Sequence, residues 1–333
     1  MAQGKQTSEF PRRPATSVSK FLRRLRKVSA RTVTDRLPAV SRQWQRFRYR
    51  NWVQQSGSSE LVRPDFIIIG APKCGTSWLQ GALRHHPNVI MVPDEIEYFS
   101  LHLDLPFAWY CEHFTRQLES PKRKREPYLL GERSARYCAM PPENIRRLKS
   151  LLPDARLILM TRDPVSRHWA HAKNYFAKRR LKNPDGAVLS LPRRKLLAFF
   201  ETMRPLGEFS TIVANWTSVY PNGELLVLSQ ERTLAAPKAI LDAVRAHIGL
   251  AADYDPGALD FMSEHRNQGP KVPMPDDVAA VLEDMFAGER QWLRDFFGDR
   301  PFVHATRTPS SPVLANAPYA GSSSAPAGSL SRP

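Results

Sequence analysis

Two short stretches of the chain are apolar almost without interruption, and each ends in an unusual polar sequence. Residues 65–70 (DFIIIG) run to a glycine, and residues 156–161 (RLILMT) run to Arg162 and Asp163. A solid apolar run of this length predicts a strand covered on both faces. Residues 224–229 (ELLVLS) predict a third. Between these runs the apolar positions recur at helical spacing. Residues 76–86 (TSWLQGALRHH) form one such stretch, which stops before Pro87. A second begins with Asp163 as cap and Pro164 at the first helical position and continues to about Lys178. Further helices are predicted over 210–219, 236–248, 275–286 and 288–297. Strands separated by helices predict an α/β fold in three layers, a parallel central sheet with helices on both faces. Ligands of such sheets gather at the carboxyl ends of the strands, where both unusual sequences lie.

The 333 residues suffice for two domains or one large α/β domain, and 42% hydrophobic content supplies a core. The organisation read from composition has three parts. Residues 1–60 form a basic arm, partly helical or disordered. Residues 64–302 form the folded domain. Residues 303–333, nearly all Ser, Pro, Ala, Gly and Thr from Ala305 on, form a disordered tail. Of the formal net charge of +17, the first 50 residues carry +12, with fourteen Lys and Arg against Glu9 and Asp35. Three readings of the arm stand: a solvated tail, a contact with an anionic membrane surface, or a polyanion site. The second draws on Phe21, Leu22, Leu25 and Val28, which alternate with Arg23, Arg24, Arg26 and Lys27. No specific nucleic acid partner is expected. Cys74, Cys111 and Cys138 fit neither a disulfide framework nor a zinc pattern, which favours a reducing compartment. With no run of 18 apolar residues and no apolar signal region at the N-terminus, a cytoplasmic protein is expected, with the arm able to reach the inner membrane face.

The loop after the first strand reads Gly70-Ala71-Pro72-Lys73-Cys74-Gly75-Thr76-Ser77-Trp78. A glycine turn between strand and helix aims backbone N–H groups and the positive helix end at one spot, which makes an anion site. Thr76 and Ser77 add hydroxyls and Lys73 a full charge. Gly70 and Gly75 have the separation of a nucleotide P-loop, but Thr76 occupies the place of its lysine. Arg162 follows the second strand, where a metal-dependent kinase would want an acidic residue. The site reads as one built for an anion without a metal. The plainer alternative is a tight turn with an exposed lysine.

These blocks resemble the sulfotransferases that use 3′-phosphoadenosine 5′-phosphosulfate (PAPS), whose fold is P-loop-like. The resemblance runs from about Phe66 to Gly298. PKCGTSWL at 72–79 is similar to the family's 5′-phosphosulfate loop, and TRDPVSRHWAHAKNYF at 161–176 to its 3′-phosphate segment. LSQERTL at 228–234 and HRNQGP at 265–270 add a weaker match. The resemblance implies that Lys73 stabilises charge on the leaving phosphate. It gives the cofactor-binding role to Lys73, Cys74, Gly75, Thr76, Ser77 and Trp78, with Trp78 stacking on adenine. Arg162 would bind the 3′-phosphate, and the late loop would add Arg266 or Lys271. The family's serine eight residues after that arginine is Ala170 here, with Ser166, His168, His171 and Lys173 as possible replacements.

The heparan-type and related bacterial branch places its catalytic base just before an aromatic pair. In VIMVPDEIEYF at 89–99 that glutamate is Glu95, with Glu97 where histidine is frequent. Glu95 is therefore the expected base, with Glu97 second. The alternative for either is a surface ion pair. GERSARY at 131–137 resembles another segment of the branch, so Glu97, Glu132 and Arg133 are candidate acceptor contacts. The expected activity is sulfuryl transfer from PAPS, without a metal, to a hydroxyl, less readily an amine, of a carbohydrate or glycolipid. Two other readings remain: a P-loop kinase or NTPase, and a non-catalytic polyanion- or membrane-binding protein on the same fold.

Overall fold

The computed structural model describes residues 61–119, 127–177, 186–250 and 272–306. The basic arm, the runs 122–125 and 178–185, Arg266, Lys271 and the chain beyond 306 lie outside the described residues. So the expectations placed on them are not addressed by the fold. Among the described residues no helix is long and apolar enough to cross a membrane.

Six strands form one sheet in the order β2-β3-β1-β4-β5-β6. They are β1 (Phe66–Gly70), β2 (Val89–Met91), β3 (Leu129–Arg133), β4 (Arg156–Thr161), β5 (Asn222–Ser229) and β6 (Phe302–Thr306). The first five are mutually parallel. β1 sits at the centre, and Phe66, Ile67, Ile68 and Ile69 are completely buried. Each such side chain contributes about 1.5–3 kcal/mol by leaving water, which explains the unbroken apolar run.

The helices predicted over 76–86, 163–178, 210–219, 236–248, 275–286 and 288–297 form close to those spans, and others form where none was predicted. α1 (Thr76–Arg84) buries Thr76, Leu79, Gln80, Ala82 and Leu83 as one stripe and ends two residues before the predicted boundary. α2 (Tyr98–Leu101), α3 (Phe107–Leu118) and α4 (Pro142–Leu151) follow. α5 (Pro164–Ala177) opens as expected, with the Ser166 N–H donating to Asp163 Oδ2 at 2.9 Å. α6 (Arg193–Met203) and α7 (Phe209–Val219) lead to β5. α8 (Gln230–Ala235) and α9 (Pro237–Ile248) follow β5, and α10 (Asp276–Met285) and α11 (Ala287–Phe297) precede β6. Trp169, Phe199, Phe200, Leu282 and Phe286 form the packing centre between α5, α6 and α10. Trp109, Trp169 and Trp216 are buried, in keeping with packing roles.

The expected parallel sheet is present, and β6 adds an antiparallel edge to it, pairing with β5 at Leu228–Phe302 and Leu225–Ala305. The folded domain also extends past 302, because residues 303–306 belong to this edge strand and not to the tail. A five-residue edge strand draws much of its order from backbone pairing with its neighbour, so composition alone understates it.

The strand order fixes where a site can form. The chain leaves β1, builds β2 and β3 on one side, then crosses to place β4 on the other. The carboxyl end of β1 is a point where connections diverge, the place where sheets of this kind bind their ligands.

Candidate functional site

β1 ends at Gly70, whose φ of 140° lies in a region open to glycine. A Cβ there would sit 2.4 Å from the Ala135 carbonyl oxygen and 2.8 Å from Cys138 Cβ. The glycine thus lets the loop pass tightly over the short 3₁₀ turn Ala135–Ala139. The Ala71 N–H then donates to Met160 O at 2.9 Å, tying the loop to β4. Lys73 takes a left-handed φ of 69° and Gly75 a φ of 90°. Gly75 is the cap of α1, and no side chain caps that helix end. The first N–H groups of a helix have no intrahelical acceptor, so this end is open to an anion. Ser77 is exposed, Lys73 and Trp78 are half-buried, and Thr76 is buried.

Cys74 differs from the expectation that it contacts a cofactor. Its side chain is completely buried, and its N–H donates to Ala71 O at 3.2 Å inside the turn. Burial pushes its thiol up to about 12, against the nearby Arg167 and Arg162 charges. It shapes the loop from beneath.

The loop after β4 joins the first. Arg162 donates from Nη1 to the Lys73 carbonyl at 3.2 Å. Arg167, one turn into α5, is completely buried under the loop and donates from Nε to Pro72 O at 3.0 Å. Its other nitrogens meet His168 Nε2 at 3.1 Å and His171 Nδ1 at 3.2 Å. Burial, followed by the Arg167 charge, lowers His168 to about 4 and His171 to about 2. Both imidazoles are therefore neutral at pH 7. His168 Nδ1 lies 2.8 Å from Pro164 O, and its Nε2 also lies 3.0 Å from Met203 O. Of the four residues able to compensate for Ala170, His168 and His171 are thus committed to Arg167. Ser166 and Lys173 stay half-buried. Burial, then the charge of Arg162, lowers the Lys173 ammonium.

A third group lies after β3. Arg133 forms an ion pair with Glu95 and donates from Nε to Gln80 Oε1 at 2.9 Å. Gln80 in turn donates to Val92 O at 2.8 Å. Glu95 is thus held between β2 and β3, with its side chain 20% exposed. Glu132 is not placed to touch an acceptor. It is completely buried and receives Tyr110 Oη at 2.7 Å and Ser134 Oγ at 2.9 Å. Burial pushes its carboxyl up to about 7 despite these donors. The same Ser134 hydroxyl accepts the Glu97 N–H at 3.0 Å. Glu97 is buried as well, and burial raises it to about 8 against the donation from Ser100. Beside it, a cleft of about 420 Å³ is bounded by Ser100, Leu101, Arg136, Met140, Asn144 and Leu206.

The structure brings Lys73, Gly75, Thr76, Ser77, Trp78 and Arg162 to the carboxyl ends of the central strands β1 and β4, and Glu95 and Arg133 to the ends of the neighbouring strands β2 and β3. Sequence reasoning assigned no role to Arg167, Gln80, Ser134 or Arg136. A glutamine on the apolar stripe of α1 was a signal for Gln80. Nothing in the sequence marks Arg167 as buried. Among the described residues no group of three or more His, Cys, Asp or Glu side chains could hold a metal ion.

Residues 63–268 match the family model described as Sulfotransferase domain. The chain is 28% identical over 204 residues to heparan sulfate glucosamine 3-O-sulfotransferase 6 of Mus musculus, covering 59% of this chain and 55% of that protein. It is 28% identical over 205 residues to the 3-O-sulfotransferase 3B1 of Homo sapiens, covering 59% and 48%. The chain therefore spans about half the length of these relatives. A solved sulfotransferase from Alicyclobacillus acidocaldarius superposes with a TM-score of 0.54 at 23% identity, over 71% of this chain and 96% of that one. A solved sulfotransferase from Mycobacterium avium gives 0.50 at 14% identity, over 79% and 84%. These likenesses bear out the fold, a mostly parallel sheet flanked by helices.

Proposed function

Because the chain belongs to the sulfotransferase family, we propose that it moves the sulfuryl group of PAPS to a hydroxyl of a carbohydrate or glycolipid. The observation that carries this reading is the joint between the loops after β1 and β4, where Arg162 donates to the Lys73 carbonyl beside an uncapped helix end. The residues fit a doubly phosphorylated nucleotide. α1 offers free N–H groups at one point, and Arg162 keeps further guanidinium donors at another. When bound, PAPS supplies the sulfuryl group and a phosphate leaving group.

The residues of the chain do the rest. Gly75, Thr76 and Ser77 hold the 5′-phosphate, and Trp78 stacks on the base. Arg162, with Ser166 or Lys173, holds the 3′-phosphate. Lys271 is assigned to the cofactor through the resemblance alone. Lys73 stabilises the charge that gathers on the leaving phosphate. Glu95 takes the proton of the acceptor hydroxyl, and Arg133 orients it. The relatives named for heparan sulfate support a carbohydrate acceptor, and the cleft beside Glu97 supplies Arg136 and Asn144 for polar groups.

Incubation with labelled PAPS and pools of desulfated glycans and glycolipids tests the reading. Transfer that persists unchanged in Lys73→Ala would remove the mechanism. Calorimetry with ATP–Mg²⁺ and with adenosine 3′,5′-bisphosphate separates a kinase or NTPase, which would bind only the former. Nucleotide binding without turnover on any acceptor would favour a non-catalytic role.

A further inference from the structure

Glu97 carries an unsolved polar contact. It caps α2 in a left-handed conformation, φ 55° and ψ 28°, which L residues rarely adopt. That turn directs the carboxyl inward, leaving the residue 7% exposed. Oε2 receives the Ser100 hydroxyl at 2.5 Å. Oε1 is buried and meets no hydrogen-bond donor among the described residues. The Glu97 carboxyl also interacts with the carboxylate of Glu95, another acceptor, which raises it further.

Two carboxylates in contact repel unless a proton lies between them. One added proton turns the repulsion into an O–H···O⁻ hydrogen bond and satisfies the orphaned oxygen. The surrounding charges decide where it resides. Glu95 already faces the Arg133 guanidinium. Glu97 faces the Arg136 charge, the neutral Ser100 and Ser134 hydroxyls and the Tyr137 and Cys138 side chains, with Glu132 behind Ser134. The buried partner without a directly paired cation is the one that stays neutral.

We propose that Glu97 is a protonated positioning residue, whose Oε1–H donates to Glu95 and, together with Arg133, fixes the carboxylate that accepts the acceptor's proton. This inference rests on the reading of Glu95 as base. In the transfer the acceptor O–H bond breaks, its oxygen bonds to sulfur, and its proton passes to Glu95. The S–O bond to the phosphate breaks with its electron pair on the phosphate. The Glu97 proton is not consumed. Glutamine is the nearest neutral mimic of such a residue, since its amide N–H can make the same donation.

The test compares wild type with Glu97→Gln, Glu97→Ala and Glu95→Gln. The first readout is thermal melting from pH 5 to 9, which needs no substrate. The folded chain keeps a proton on Glu97 that the unfolded chain releases above about pH 4.5, so wild-type stability falls as pH rises toward 8 and Glu97→Gln gains thermal midpoint relative to it. The second is the pH profile of kcat/KM. The wild type falls on an alkaline limb near pH 8, and Glu97→Gln lacks that limb. At pH 7 Glu97→Ala loses about tenfold or more in kcat, most of which the glutamine variant restores. Parallel melting curves for wild type and Glu97→Gln would overturn the proposal. So would an unchanged alkaline limb, or a glutamine variant as impaired as the alanine one. Full activity in Glu95→Gln would instead overturn the base assignment, whatever the melting curves show. Should Glu97→Ala fail to fold, the glutamine comparison still decides.

Discussion

The Arg162 guanidinium reaches across from the end of β4 to donate to the Lys73 carbonyl at 3.2 Å. Two residues 89 positions apart thereby form one structure, because β1 and β4 are neighbours in the sheet. One guanidinium nitrogen organises the loop while the others remain to meet an anion. On the proposed function Arg162 acts on the loop as well as on the nucleotide.

Lys73 and Arg162 should fail differently. If Lys73 stabilises the leaving phosphate as proposed, Lys73→Ala lowers turnover by roughly 10²-fold or more and weakens adenosine 3′,5′-bisphosphate binding much less. Arg162→Ala loses a phosphate contact and the Lys73 carbonyl contact together, so nucleotide affinity itself drops. Calorimetry beside steady-state kinetics separates them. Equal losses of affinity in both variants would contradict this division.

Glu132 should make stability fall with pH. Its carboxyl titrates near 7 in the folded chain against a reference of 4.5. The native state thus binds the proton more tightly. The associated stability is full below about pH 4.5 and is lost as pH rises through about 7. Glu132→Gln removes this dependence, so its thermal midpoint gains on wild type between pH 5 and 7 and then levels off. A constant offset across that range would show that the group does not titrate there.

Arg167 should be irreplaceable by lysine. Its fork reaches Pro72 O, His168 and His171 at once, and burial lowers it only to about 10, so it stays charged at pH 7. Lysine keeps the charge but not the planar set of donors. In Arg167→Lys the loop loses its support, with nucleotide affinity expected to fall about tenfold, or ~1.4 kcal/mol. Binding equal to wild type in calorimetry would refute a supporting role.

Gly70→Ala should be among the most damaging changes outside the reacting groups. A methyl group would meet Ala135 O at 2.4 Å while the backbone is held at φ 140°. Strain and overlap together should cost about 2–4 kcal/mol, read as a lower midpoint in urea unfolding. A midpoint within error of wild type would show that the loop can shift aside.

The apolar runs at 65–70, 156–161 and 224–229 were enough to locate β1, β4 and β5, because a strand buried on both faces must be apolar at every position. The glycine turn after β1 and the cation after β4 could likewise be read locally, as could the Asp163 cap. Nothing local marks β2 and β3 as strands. Val89–Met91 is only three residues, and β3 ends in Glu132 and Arg133. A buried carboxylate and guanidinium in a strand look polar until Tyr110, Ser134, Gln80 and Glu95 surround them.

What the sequence by itself determined was therefore the alternating fold and the glycine turn between β1 and α1, since these depend on neighbours in the chain. Tertiary structure alone decided that Cys74 and Glu132 lie in the core, that Arg167 lies beneath the loop, and that Glu95 meets Glu97 and Arg133 at one point. Charge state and contact at those places depend on burial and on partners up to 95 residues away. Strand order, which no local pattern encodes, is what brings them together.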